Sequence, residues 1–211
     1  HTPINEATVV LVGDDDLASV ALLRHHPPRR LIVVDLDARI LAAVAAETDR
    51  LGLADRLEMH HTDLTFPNNV DAVAEIVGPV ADAVVTDPPY ASDGMAAFVG
   101  LATRLTAYDG AVHIACPHLI AEAWSDELLY GVQRQLTDAG FVIERLVPGA
   151  FSYETSDVIS SLVVARRLPG TTLPTPAAAV PETGARFYTQ RTPAGPVPAT
   201  VFTKQLGETD D

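Results

Sequence analysis

The chain has 211 residues, 47% of them apolar, and carries 28 Asp+Glu against 14 Lys+Arg, a net charge of −14. That length fits one domain with a tail and can bury a real core, while the acidic excess opposes a nucleic-acid backbone and attracts a cationic small molecule. The single cysteine, Cys116, excludes an intrachain disulfide and a cysteine-rich metal site, and no apolar run approaches the roughly 18 residues of a membrane span.

The chain opens on His1-Thr2-Pro3, which is neither a start methionine nor a charged signal region. A cytoplasmic protein is expected, beginning inside a longer natural chain. Short β-branched runs then alternate with Ala/Leu-rich helical runs. Residues 8–12 read as a strand ending at Gly13, and 17–23 as a helix stopped by Pro27-Pro28. Residues 31–34 are a second strand, 38–51 a helix closed by Gly52, and 57–61 a weaker third strand. Helices are expected over 70–77, 95–108 and 126–139, and strands over 83–85, 111–115, 141–147 and 158–165. Continuous apolar strands separated by helices imply strands buried on both faces. The fold class is α/β: a Rossmann-like, seven-stranded, mainly parallel sheet with helices on both faces and ligands outside its carboxyl edge. Residues 1–167 form the expected catalytic domain. From 168 to 211 the texture changes, with seven of the chain's 16 prolines, and the choice there lies between a lid and a disordered tail.

Acids fall where such a sheet places a site. Asp14, Asp15 and Asp16 follow strand one, Asp35 and Asp37 end strand two, Asp63 follows strand three and Asp87 ends strand four. One strand-end Asp is ordinarily a cap or turn former, whereas four successive strands ending in acid is a more specific pattern. Asp35 lies 19 residues beyond Asp16, the spacing at which an acid accepts from ribose hydroxyls. Yet the turn Gly13-Asp14-Asp15-Asp16 lacks the glycine pattern that seats a pyrophosphate, and three carboxylates would repel one. The same carboxylates suit the positive end of a helix dipole, so they are expected to stay ionised and receive a cation.

Asp87-Pro88-Pro89-Tyr90 follows strand four. Two prolines cannot continue a ladder, so the chain leaves in a rigid extended turn that holds a carboxylate and carbonyl acceptors beside an aromatic wall. An acceptor-only cluster of this kind recognises an amine or amide nitrogen. A bare Pro-Pro turn is the plainer alternative.

The acids Asp35 and Asp63 with Asp87-Pro88-Pro89-Tyr90 resemble class I S-adenosylmethionine-dependent transferases that act on amino nitrogen. With Gly13-Asp14-Asp15-Asp16-Leu17-Ala18-Ser19, the chain resembles the branched-chain polyamine synthases, N4-bis(aminopropyl)spermidine synthases, over roughly residues 7–167. That resemblance implies transfer of aminopropyl groups from decarboxylated S-adenosylmethionine, as co-substrate, to an amine of spermidine or a related polyamine, releasing methylthioadenosine. It implies catalytic roles for Asp16 and Asp87. Gly13, Asp14, Asp35 and Asp63 would bind the donor, and Asp15, Asp16, Asp87, Pro88 and Tyr90 the amine. It requires no metal, membrane or nucleic acid, and allows a homodimer. The family's N-terminal winged-helix-like domain has no counterpart in this stretch.

Charge agrees with the donor choice. Intact S-adenosylmethionine presents a carboxylate that the acidic triplet opposes, and each close ion pair to a polyamine is worth about 1 kcal/mol in water and about 4 kcal/mol in a partly desolvated cleft. Two alternatives stand: an amino-directed methyltransferase using intact S-adenosylmethionine, and a non-catalytic polyamine or nucleoside binder. Weaker signals are the pairs His25-His26 and His60-His61 for metal, Cys116 with His118 as a nucleophile pair, and Phe151-Ser152-Tyr153-Glu154 as an arm or surface turn.

Overall fold

A computed structural model describes residues 2–117, 123–152 and 159–170. Twelve regular elements alternate along them: β1 (Thr8–Val12), α1 (Ala18–His25), β2 (Arg30–Asp35), α2 (Ala38–Arg50), β3 (Leu57–His61), α3 (Pro67–Val77), β4 (Ala81–Thr86), α4 (Ser92–Leu105), β5 (Thr106–Pro117), α5 (Ala123–Asp138), β6 (Phe141–Ser152) and β7 (Ile159–Arg167). The strands form one seven-stranded sheet in the order β3-β2-β1-β4-β5-β7-β6. The first five are mutually parallel, and β7 runs antiparallel between β5 and β6.

The apolar runs are continuous because the inner strands are covered twice. On one face Val10, Val12, Ile32 and Val34 pack with Val73 of α3 and Val99 of α4. On the other, Val9, Leu11, Leu31 and Val33 pack with Leu23 of α1 and Leu41 of α2. β3 is an edge strand and only partly buried, which explains its mixed sequence. Strand order reverses between β1 and β4, so a crevice opens at their carboxyl ends, where this architecture binds ligands.

Two expectations need correction. The fourth helix ends at Leu105, and Tyr108 lies in β5. The register between β4 and β5 shifts between Ala81 and Ala83, and residues 107–110 bulge out of it. Asp109 takes φ 63°, and a Cβ on Gly110 would lie 2.5 Å from the Ala81 carbonyl. Apolar spacing continues through this stretch, but the backbone cannot. Phe151 and Ser152 belong to the edge strand β6 rather than to a turn, while Tyr153 and Glu154 lie outside the described residues. The tail beyond residue 170 also lies outside them.

Candidate active site

The acidic loop begins at Gly13, whose N–H donates to the Val34 carbonyl at 2.8 Å. Its φ of 75° favours glycine, and a Cβ there would meet the Phe98 ring of α4 at 2.9 Å. Both constraints bring the loop close against α4. Leu17, at φ 56°, then turns the chain into α1.

The three adjacent aspartates have three different fates. Asp14 is 1% exposed, and both its oxygens are engaged by Ser19: Oδ1 accepts from the backbone N–H at 3.0 Å and Oδ2 from the hydroxyl. Burial pushes its carboxyl up to about 7; the Ser19 bonds oppose that rise, and the charges of Asp16 and Asp35 add to it. This corrects the expectation of a fully ionised triplet, because desolvation here outweighs the helix dipole. It also encloses the carboxylate that had been expected to touch the donor. Asp15 has a solvent-open side, yet the protein packed against it, followed by the charges of Asp87, Asp16 and Asp35, pushes it up to about 6. Asp16 is exposed just before the Leu17 N-cap of α1, its Oδ1 accepting from the Ala18 N–H at 3.1 Å.

Asp35 closes β2 directly beside this loop. Its Oδ2 accepts the Asp14 N–H at 2.8 Å and its Oδ1 the Asp37 N–H at 2.7 Å. Burial raises its pKa against those backbone bonds. Backbone donors from Asp14, Asp37 and Leu36 together fix the orientation of the carboxylate at the end of β2. Asp37 caps α2 instead, accepting from the Arg39 N–H. One β-strand further out, Asp63 Oδ1 accepts from the Thr65 N–H at 2.9 Å and the Thr65 hydroxyl at 2.6 Å. It borders a depression of about 190 Å³ with Thr62 and Asn69.

Beyond the switch point, the Thr86 hydroxyl donates to the Val12 carbonyl at 2.7 Å, tying the ends of β4 and β1. Asp87-Pro88-Pro89-Tyr90 then leaves the sheet, with Pro88 buried. Tyr90 folds back, its hydroxyl donating to Asp87 Oδ1 at 2.9 Å and pairing with the Ser160 hydroxyl. Val12 and Thr86 pair in register, so the two motifs leave the sheet side by side, and the charge of Asp87 acts on Asp15. A larger groove of about 740 Å³, lined by Asp82, His113 and Arg166 among others, contains none of the predicted site residues.

The structure thus gathers Gly13, Asp15, Asp16, Asp35, Asp87, Pro88 and Tyr90 around the carboxyl ends of β1, β2 and β4, with Asp63 following the adjacent β3. Three contributors escaped the sequence reading. Ser19 lies inside α1 rather than at its cap, Phe98 looks like ordinary core, and Ser160 sits in a remote strand. The legible signals were the place of Ser19 in the Gly13–Ser19 motif and a Ser-Ser pair inside the apolar run of β7.

Cys116 is 0% exposed, and burial, followed by the charge of Asp87, pushes its thiol up to about 12, which leaves no thiolate for nucleophilic attack; His118 lies outside the described residues. His60 pairs with Glu58, whereas His61 meets the Leu36 carbonyl, so the two rings diverge. Among the described residues no three His, Cys, Asp or Glu side chains are grouped to hold a metal, and no helix is long and apolar enough to cross a membrane.

Comparison with known proteins adds an independent line. N(4)-bis(aminopropyl)spermidine synthase of Thermus thermophilus is 31% identical over 157 residues, which cover 73% of this chain and 42% of that protein. The Thermococcus kodakarensis enzyme of the same name is 35% identical over 92 residues, covering 44% of this chain and 24% of that one. An uncharacterized Methanocaldococcus jannaschii protein is 29% identical over 165 residues, covering 78% of this chain and 39% of its own length. The matched stretches span less than half the length of each of these relatives. In fold it is similar to the branched-chain polyamine synthase of Thermus thermophilus crystallised with N4-aminopropylspermidine and 5'-methylthioadenosine. There the TM-score is 0.68 and identity 23%, covering 84% of this chain and 56% of that one. An O-methyltransferase family protein of Burkholderia thailandensis shares the fold at a TM-score of 0.55 and 19% identity, over 78% of this chain and 52% of that one. The model of the branched-chain polyamine synthase A C-terminal domain matches residues 3–189, so this chain belongs to that family.

Proposed function

We propose that this domain moves aminopropyl groups from decarboxylated S-adenosylmethionine to an amine of spermidine or a related polyamine, forming a branched polyamine and methylthioadenosine. The observation that carries this reading is the placing of the acidic loop after β1 beside the Asp87 turn after β4, with Asp35 hydrogen-bonded into that loop at the switch point. Asp35 binds the ribose hydroxyls and Asp63 the adenine amino group. Gly13 lets the donor's sulfonium end approach the backbone.

The attacking amine nitrogen forms a bond to the propyl carbon as that carbon's bond to sulfur breaks. The bonding pair stays on sulfur, which becomes the neutral thioether of methylthioadenosine. The sulfonium is already activated, so the protein contributes positioning and removal of one N–H proton. Asp15, pushed up to about 6, accepts that proton more readily than an ordinary aspartate, with Asp87 holding the nitrogen. The role first expected of Asp16 thus passes to its neighbour. Asp16, bonded to the Ala18 N–H but exposed, attracts the distal ammonium groups. Pro88 and Tyr90 wall the amine.

The same reading takes polyamines rather than nucleic acid as partners, needs no metal, and carries a cytoplasmic homodimer as its setting. The nucleoside product tests it. Chromatography after incubation with spermidine and either donor should show methylthioadenosine from the decarboxylated donor alone. S-adenosylhomocysteine from the intact donor would establish the methyltransferase reading, and binding without either nucleoside the non-catalytic one.

A further inference from the structure

Ser160 is 0% exposed, and it stands in a run otherwise made for a strand, between Ile159 and Leu162-Val163-Val164. A buried hydroxyl costs stability unless it is hydrogen-bonded, and a β-branched apolar residue would serve the strand better. Local preference is therefore overridden at this position.

The topology explains what is gained. β7 is antiparallel to β5, and Ser160 pairs in register with Pro117, the last residue of β5. The start of β7 therefore reaches the same sheet edge as the ends of β4 and β5, where the Asp87 turn begins. There the Ser160 hydroxyl meets the hydroxyl of Tyr90. A phenol has one hydrogen, and that of Tyr90 goes to Asp87 Oδ1 at 2.9 Å. Ser160 must then donate and Tyr90 accept, which gives a directed chain from Ser160 through Tyr90 to Asp87. A hydroxyl that accepts while it donates is polarised into a stronger donor.

We infer that Ser160 is a positioning residue for the acceptor amine, acting through Tyr90 to hold the Asp87 carboxylate in one orientation opposite Asp15. This rests on the transfer reading above for its catalytic consequence, but not for its effect on amine binding.

The test compares Ser160→Val, Ser160→Ala and Ser160→Thr with the unmodified chain, because Thr and Val differ by the hydroxyl alone. Spermidine affinity in the presence of methylthioadenosine should weaken about tenfold in the Val and Ala variants and stay within about threefold in Thr. Methylthioadenosine affinity should be unchanged in all three. In a Tyr90→Phe background, Ser160→Ala should have no further effect on the amine, as expected for residues acting in series. Equal amine affinity in the Val and Thr variants would overturn the inference. So would losses of amine and nucleoside binding that move together with the melting temperature. An unmodified chain that binds spermidine and fails to turn over would remove the transfer reading while leaving this comparison intact.

Discussion

The backbone N–H of Asp14 donates to Asp35 Oδ2 at 2.8 Å, so the acidic loop after β1 and the acid closing β2 form one hydrogen-bonded unit. That unit divides the labour among the acids. Asp14 and Asp35 hold geometry from inside, whereas Asp15 and Asp16 present charge to solvent.

Replacing Asp35 by Asn places an amide N–H₂ against one of the backbone donors and removes the acceptor proposed for the ribose. Asp35→Asn is expected to weaken methylthioadenosine binding about tenfold or more, with a smaller effect on turnover at saturating donor. Titration calorimetry checks this, and unchanged nucleoside affinity would refute the assignment.

Asp15→Asn keeps the size of the side chain and removes the proposed proton acceptor. Turnover should fall roughly 100-fold or more, with nucleoside binding nearly intact. Asp16→Asn should mainly raise the amine KM. Steady-state kinetics on the two variants separate the roles, and the reverse pattern would return the proton to Asp16.

Gly13→Ala brings a Cβ to 2.9 Å from the Phe98 ring at a φ of 75°. A loss of about 1–3 kcal/mol in unfolding free energy is expected from the strain and the overpacking together. Adding Phe98→Ala relieves the contact but not the backbone. Denaturant unfolding should therefore show the double variant less destabilised than the two single losses predict.

Asp14 gives the fold a pH signature. Its carboxyl lies at about 7 in the folded chain against an ordinary 3.8. Between those values the folded state keeps a proton that the unfolded state has released. Stability contributed by this group is therefore full below about pH 4, falls as pH rises towards about 7, and is level above. Asp14→Asn removes the titration. Unfolding free energies of the two proteins should diverge by on the order of 4 kcal/mol across that window, and a constant difference would contradict the buried acid.

Much of this could be read from residues alone. The runs in β1, β2 and β4 are apolar without interruption because both faces are covered, and Asp87-Pro88-Pro89-Tyr90 declares its turn through its prolines. The division within Asp14-Asp15-Asp16 could not be read. Three identical neighbours differ only in which one the αL residue Leu17 and the partner Ser19 turn inward. Tyr108 was misplaced because helical spacing runs past a backbone bulge set by Asp109 and Gly110. Ser160 was invisible because its partner Tyr90 lies 70 residues away and meets it only through the antiparallel strand.

The amine product, rather than the nucleoside, distinguishes a branched-chain synthase from other aminopropyl transferases. Mass spectrometry with fragmentation of the product from spermidine and decarboxylated S-adenosylmethionine tests it most directly. The expected result is an aminopropyl group on the secondary nitrogen, giving a branched amine. A methylated amine formed from intact S-adenosylmethionine, or an aminopropyl group only at a chain end, would contradict it.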